Sequence, residues 1–156
     1  MDDRILETVE YIAIRRLQAS YADKVTRKAW DEFDQIFLPD AKIVVNRQDG
    51  EPYNLDDHKA LAAFIIKATG HMDLFQFVIL NTIIDIQGDE ATGRMYMCEI
   101  RHDDRAGNTM SYGLYRDKYK KIDGKWWFAD RRYRVMARSQ TTSYNVFPMI
   151  ADDFDI

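Results

Sequence analysis

Along the first 25 residues the apolar positions recur at intervals of three or four. Leu6, Val9, Ala13, Leu17 and Tyr21, with Ile5 and Ile12 beside them, mark the stripe of a helix over residues 3–25, which Asp2 or Asp3 can cap. Trp30, Phe33 and Phe37 keep that spacing and predict a second, short helix. Pro39 would end it, because proline lacks the N–H donor and pushes the residue before it out of helical geometry. Residues 41–46 read as a short β-run, and Asp49-Gly50 with Pro52 as a turn. Asp56 or Asp57 opens a third helix with Leu61, Phe64, Ile65 and Ala68 on one side, closed by Gly70. From Gln76 onward the period changes to two. Runs at 76–87, 91–102, 109–122 and 125–136 are separated by Gly88-Asp89, Ala106-Gly107-Asn108 and Asp123-Gly124. Helices first and a long antiparallel meander second is an α+β order, in one domain without repeat or linker.

The last hairpin is the most informative stretch. Asp123-Gly124 suits a tight turn in which both central residues need φ > 0. On its first arm Tyr115, Asp117 and Tyr119 alternate with Leu114, Arg116 and Lys118. On the second, Trp126, Phe128, Asp130 and Arg132 alternate with Trp127, Ala129, Arg131 and Tyr133. Strict alternation sets Asp117, Asp130 and Arg132 among large rings on one face. That face is either a cavity with polar groups or a solvated outer surface. Asp117 is expected to pair across strands with Arg132 or Arg134.

Composition narrows the classes. A hydrophobic content of 46% and 13% aromatics in 156 residues give one folded domain rather than a disordered chain. The net charge of −4 argues against a nucleic-acid footprint. No apolar run approaches the ~20 residues of a membrane span, and the start, Met1-Asp2-Asp3, has no basic, apolar leader. The single cysteine, Cys98, allows no internal disulfide, which fits a cytoplasmic protein. One Cys and three scattered His give no zinc spacing, so neither metal nor cofactor is expected.

Four segments together resemble a SnoaL-like member of the nuclear transport factor 2-like (cystatin-like) superfamily. They are Y-A-D-x-V-x-x-x-x-W at 21–30, F-x-P-D-A at 37–41, D-x-x-G-D-x-A-T-G-R at 85–94, and the last hairpin. Within that superfamily, Y-K-K-I-D-G-K-W-W-F-A at 119–129 looks closest to scytalone dehydratase. The resemblance implies a cone-shaped α+β barrel. Three N-terminal helices pack in a strongly bent, mostly antiparallel sheet around a deep apolar pocket for a small hydrophobic molecule. It assigns residues 1–138 to the domain and leaves 139–156 as a tail.

The dehydratase chemistry that this resemblance brings to mind needs an Asp–His dyad. The family Asp falls on Thr26 and the family His, counted back from Asn81, on Phe77. Neither can move a proton near neutral pH. The residues that orient substrate fall on Gly113 and Tyr115, the pocket tyrosines fall on Val25 and Val45, and a second His survives as His102 only with a one-residue shift. Losing a general base typically costs about 10²–10⁴ in rate, so the dehydratase reaction does not carry over.

Candidate catalytic groups are then Asp23, one turn before Thr26, with His102 and Tyr115. Tyr115 shares parity with Gly113, and a tyrosine hydroxyl in an apolar cavity can donate to a substrate oxygen. Tyr21, Val25, Thr26, Phe77, Met97 and Gly113 are expected to form the substrate wall, with Phe77, Ile79 and Asn81 on one inward face. His71 lies in a loop, and His58 on the surface. Two readings remain open. One is a cofactor-independent lyase or isomerase acting on a hydrophobic cyclic ketone, phenol or steroid-like compound. The other is a non-catalytic ligand-binding or partner subunit, like the β subunit of ring-hydroxylating dioxygenases. Tyr144, Val146, Phe147, Met149, Ile150, Phe154 and Ile156 make the tail apolar, so it is expected to cover the pocket mouth or a subunit interface. A homodimer through the open face of the sheet is expected.

Overall fold

The computed structural model describes residues 2–141 and residue 151. A 25-residue helix, α1 (Asp3–Arg27), opens the chain, with the Asp2 carboxylate capping the Arg4 N–H at 2.9 Å. A 3₁₀ segment, Trp30–Gln35, follows. Then come β1 (Phe37–Asn46), β2 (Tyr53–Leu55), α2 (His58–Thr69), β3 (Leu74–Gln87), β4 (Glu90–Asp103), β5 (Gly107–Ile122) and β6 (Lys125–Thr141). The six strands form one sheet in the order β2-β1-β6-β5-β4-β3, antiparallel except where β1 runs parallel to β6. The sheet curls without closing, and α1 lies inside the curl. This is the cone-shaped α+β architecture. Among the described residues no helix is long and apolar enough to cross a membrane.

The Asp123-Gly124 turn is as its dipeptide demands, with φ of 51° and 79°. Asp57, rather than Asp56, caps α2 by accepting the Ala60 N–H at 2.8 Å. The second helical segment differs from the periodicity. It ends at Gln35, and Phe37 already pairs with Phe128 as the first residue of β1. Pro39 therefore breaks no helix. It sits where the β1–β6 register slips between Phe37 and Lys42, a place where a missing N–H removes no ladder bond.

Helix α1 is used over half its length. Ile14, Leu17, Gln18, Tyr21, Lys24 and Val25 are buried, whereas Ile5, Leu6, Val9 and Ile12, the start of the apolar stripe, are exposed. The first turns of the helix therefore lie outside the packed core. Below them Glu10 accepts hydrogen bonds from the Lys121 ammonium and the Trp126 indole, both at 2.6 Å, which ties the helix to the last hairpin.

Three bulges set which side chains point into the cone. On β3 the register against β4 skips Leu80. Phe75 and Phe77 face in before it, Thr82 after it, and Asn81 is exposed, so Asn81 does not share the inward face of Phe77. On β6 the register against β5 skips Ala129 and again Met136. Trp126 and Phe128 face in, then Arg131, Tyr133 and Val135, then Arg138. Each extra residue flips the alternation by one. Asp130 and Arg132 are thereby turned away from Asp117, and Asp117 pairs with Arg131 rather than with Arg132 or Arg134.

Candidate functional site

Between the wide end of the sheet, α2 and the C-terminal half of α1 lies a cavity of about 340 Å³. Its apolar wall comes from Val25 on α1, Ile43 and Val45 on β1, Leu61, Phe64 and Ile65 on α2, and Phe75 and Phe77 on β3. Ring packing is dense. Tyr21 meets Phe77 edge-on at 5.4 Å between centroids and Tyr115 at 6.1 Å, and Tyr115 lies 4.8 Å from Tyr133. Polar groups enter from the meander: Glu99 and Arg101 on β4, Ser111 and Tyr115 on β5, and Arg131, Tyr133 and Arg138 on β6.

Arg131 is fully buried. Its Nε donates to Asp117 Oδ1 at 3.0 Å and its Nη2 to Oδ2 at 3.4 Å, while Nη1 has no partner among the described residues. The guanidinium carbon stacks 4.0 Å from the Tyr21 ring centroid and 3.8 Å from that of Tyr115. Asp117 in turn accepts the Tyr119 hydroxyl at 3.0 Å, and Gln18 donates to both Tyr119 and Thr82. This buried chain fixes the guanidinium against the cavity floor. Burial opposes charge on Arg131, but Asp117 beside it keeps it a cation.

Glu99 is the one carboxyl of the wall whose affinity for a proton is raised. Burial pushes it above the usual carboxylate range, with Arg101, Arg138 and Arg47 pulling the other way. Burial also raises the Tyr115 and Tyr21 hydroxyls, so both stay protonated donors at neutral pH. Together these groups offer a proton acceptor, hydroxyl donors and a fixed positive charge around an apolar volume. Those are the parts needed to move a proton on a bound molecule and hold the negative charge that develops.

Of the residues singled out from the sequence, Tyr21, Val25, Phe77 and Tyr115 line this cavity. Met97 is fully buried behind the wall. Gly113 is covered by the Tyr133 ring, which would come within 2.3 Å of a Cβ built there. Thr26 and Phe77, the two dyad positions, meet through a bond from the Phe77 N–H to the Thr26 hydroxyl oxygen at 3.1 Å. That contact uses the Phe77 backbone, Thr26 does not line the cavity, and neither side chain can shuttle a proton near neutral pH. Asp23 is exposed and paired with Arg27 at 2.8 Å, outside the cavity. His102 is bonded through Nδ1 to Asp73 at 2.6 Å and does not line the cavity. His71 does reach the rim, 3.7 Å from Asp103, and His58 stacks on Phe37.

Sequence reasoning missed Glu99 and Arg131. The parity that takes Met97 inward also takes Glu99, two residues on, so that signal was in the chain. Arg131 was hidden by the bulge at Ala129. Among the described residues no cluster of His, Cys, Asp and Glu is suited to a metal ion.

The model of the SnoaL-like domain matches residues 7–132, and the chain belongs to that family. No curated protein matches it. Among solved structures it is similar to a provisionally named scytalone dehydratase from Novosphingobium aromaticivorans, with 21% identity and a TM-score of 0.75 over 96% of this chain and 97% of that one. A hexachlorocyclohexane dehydrochlorinase, LinA-type3, from Novosphingobium barchaimii has 15% identity and a TM-score of 0.71, over 92% and 97% of the two chains. An NTF2-like protein with a cystatin-like fold, also from Novosphingobium aromaticivorans, has 16% identity and a TM-score of 0.70, over 86% of each. At these identities the likeness is one of fold.

Proposed function

We propose that the protein is a cofactor-independent proton-transfer enzyme, a lyase or isomerase, acting on a small hydrophobic ring compound such as a cyclic ketone, phenol or steroid-like molecule. The observation that carries this reading is Glu99, a carboxyl of raised proton affinity in the same cavity wall as Tyr115, Tyr21 and the buried Arg131. Glu99 takes a proton from carbon next to the carbonyl. Tyr115 donates to the oxygen on which the charge collects, and Arg131, fully buried and stacked on the Tyr21 and Tyr115 rings, holds that charge. Asp23 and His102, given their places outside the cavity, are not part of this mechanism.

The test is exchange of the α-hydrogens of 2-tetralone in deuterated buffer, followed by NMR. Exchange above buffer background should fall by about 10²–10⁴ in Glu99→Gln and also fall in Tyr115→Phe. Exchange equal to background, or unchanged in Glu99→Gln, ends the reading.

A second reading, a ligand-binding or partner subunit without catalysis, is favoured by Thr26 and Phe77 in the dyad positions. It expects the tetralone to bind, seen as a thermal shift, with no exchange. In both readings a homodimer forms through the outer face of the sheet, where Met136 on β6 and Ile83 on β3 expose large apolar side chains. Light scattering at tens of micromolar giving a monomer mass would count against it. The tail at 139–156, which apart from the end of β6 and residue 151 lies outside the described residues, is proposed as a cover for the cavity mouth or for that interface. Removing residues after 141 should loosen probe binding in the first case and dissociate the dimer in the second.

A further inference from the structure

Some guanidinium donors at the cavity rim have no carboxylate partner among the described residues, although the chain carries a net charge of −4. We propose that this rim is a binding site for a carboxylate on the ligand, so that the molecule taken up is an anionic ring compound rather than a neutral one. The inference rests on the cavity being the functional site, as argued above.

Three guanidinium groups, Arg47, Arg101 and Arg138, line the rim. Two carboxylates answer them. Asp49, itself solvent-exposed, lies 3.3 Å from Arg47 Nε, and Glu99 lies 3.5 Å from Arg101 Nη1. The Nε of Arg101 is buried and has no partner among the described residues. Arg138 donates Nη2 to the Arg47 carbonyl oxygen at 2.7 Å, and no carboxylate of the described residues forms an ion pair with it. A third carboxyl, Asp103, accepts the Arg105 and Ala106 N–H groups through Oδ1 at 2.7 and 2.8 Å, and its Oδ2 lies 3.7 Å from His71 Nε2. The Nε of Arg101 and the guanidinium of Arg138 are thus left without a carboxylate partner at the opening.

The placement of these groups matters as much as their charge. Arg138 faces the cavity because the bulge at Met136 returns it to the inward side of β6, opposite Ser111. Without that extra residue it would point to water. A guanidinium fork matches a carboxylate with two parallel hydrogen bonds, and such charge-assisted pairs are about twice as strong as neutral ones. The apolar residues of α2 and β3 below the rim suit the ring. A ligand with its ring on that wall and its carboxylate at Arg101 and Arg138 would leave its opposite end near Tyr115. The incoming carboxylate would compete with Glu99 for Arg101 and Arg138 and so raise its proton affinity further.

The test is calorimetric titration with two probes of the same shape, 2-naphthoate and 2-naphthamide. Wild-type protein should bind the carboxylate about tenfold or more tightly than the amide, the factor expected for one charge-assisted pair. That preference should shrink to about threefold or less in Arg138→Gln or in the Arg101→Gln/Arg138→Gln double variant. It should persist in Arg116→Gln, an exposed arginine on the other face of β5. Equal affinity for the two probes overturns the proposal. So does a preference that Arg116→Gln removes as fully as Arg138→Gln, which would make it a property of overall charge. Failure of both probes to bind at millimolar concentration overturns it too. A charge preference without α-hydrogen exchange on 2-tetralone would remove the catalytic reading and leave the anion site standing. Exchange without charge preference would do the reverse.

Discussion

Asp117→Asn is the sharpest test of how the interior is held together. The substitution keeps the shape of the side chain, removes its charge and replaces one acceptor oxygen by a donor amide group. Arg131 would then be a fully buried cation without a counter-ion, with its Nη1 already lacking a partner. An asparagine oxygen can still accept from Arg131 Nε at the present 3.0 Å, but its amide nitrogen cannot accept both the Tyr119 hydroxyl and Arg131 Nη2 as the carboxylate Oδ2 does. Breaking a buried pair from one side typically costs about 3–5 kcal/mol. One bond survives and the rings of Tyr21, Tyr115 and Phe128 remain stacked on the guanidinium, so the lower end, about 3 kcal/mol, is expected here. At this chain length each kcal/mol shifts the thermal midpoint by about 2–4 °C, giving a fall of about 6–12 °C. Urea unfolding followed by circular dichroism measures the loss directly. The double variant Asp117→Leu/Arg131→Met, which removes both charges, should recover much of it, because the penalty comes from the orphaned charge and not from lost attraction. A single variant within about 0.5 kcal/mol of wild type, or a double variant no better than the single, would refute the reasoning.

Gly113→Ala should cost about 1–3 kcal/mol in urea unfolding and displace the Tyr133 ring, since the new Cβ would stand 2.3 Å from it; near-ultraviolet circular dichroism reports the ring. Glu99, whose proton affinity is raised by burial, makes the folded state bind more protons than the unfolded one above the ordinary value of 4.5. Stability should therefore fall as pH rises through that window, and Glu99→Gln should flatten this part of the profile. Glu10 has the opposite sign: the bonds from Lys121 and then Trp126 lower its pKa below 4.5. Its contribution is present above 4.5 and lost as pH falls through the folded value, so the advantage of wild type over Glu10→Gln should vanish on acidification, as read by tryptophan fluorescence of unfolding.

The order and kind of most elements were legible in the chain because they rest on local signals, whereas the short β2 was not read and Phe37 opens a strand instead of closing a helix. A period of 3.6 marked α1 and α2, a period of two marked the four long strands, and Asp123-Gly124 set a turn that needs two positive φ values. Spacing from Trp30 and from Asn81 singled out Thr26 and Phe77, and the Phe77 N–H donates to the Thr26 hydroxyl oxygen at 3.1 Å. Which end of α1 is buried was not legible, because the apolar stripe continues from Ile5 to Val25 and only tertiary packing decides which part of it is covered. The part of the polar wall that β6 contributes was not legible either. Alternation fixes a face only until a residue is inserted, and the bulges at Leu80, Ala129 and Met136 carry no local signature in this sequence. Each arises from the curvature that the strands must share around α1. Arg131 and Arg138 face the cavity for that reason alone, and with them the charges that the proposed chemistry and the proposed anion site depend on.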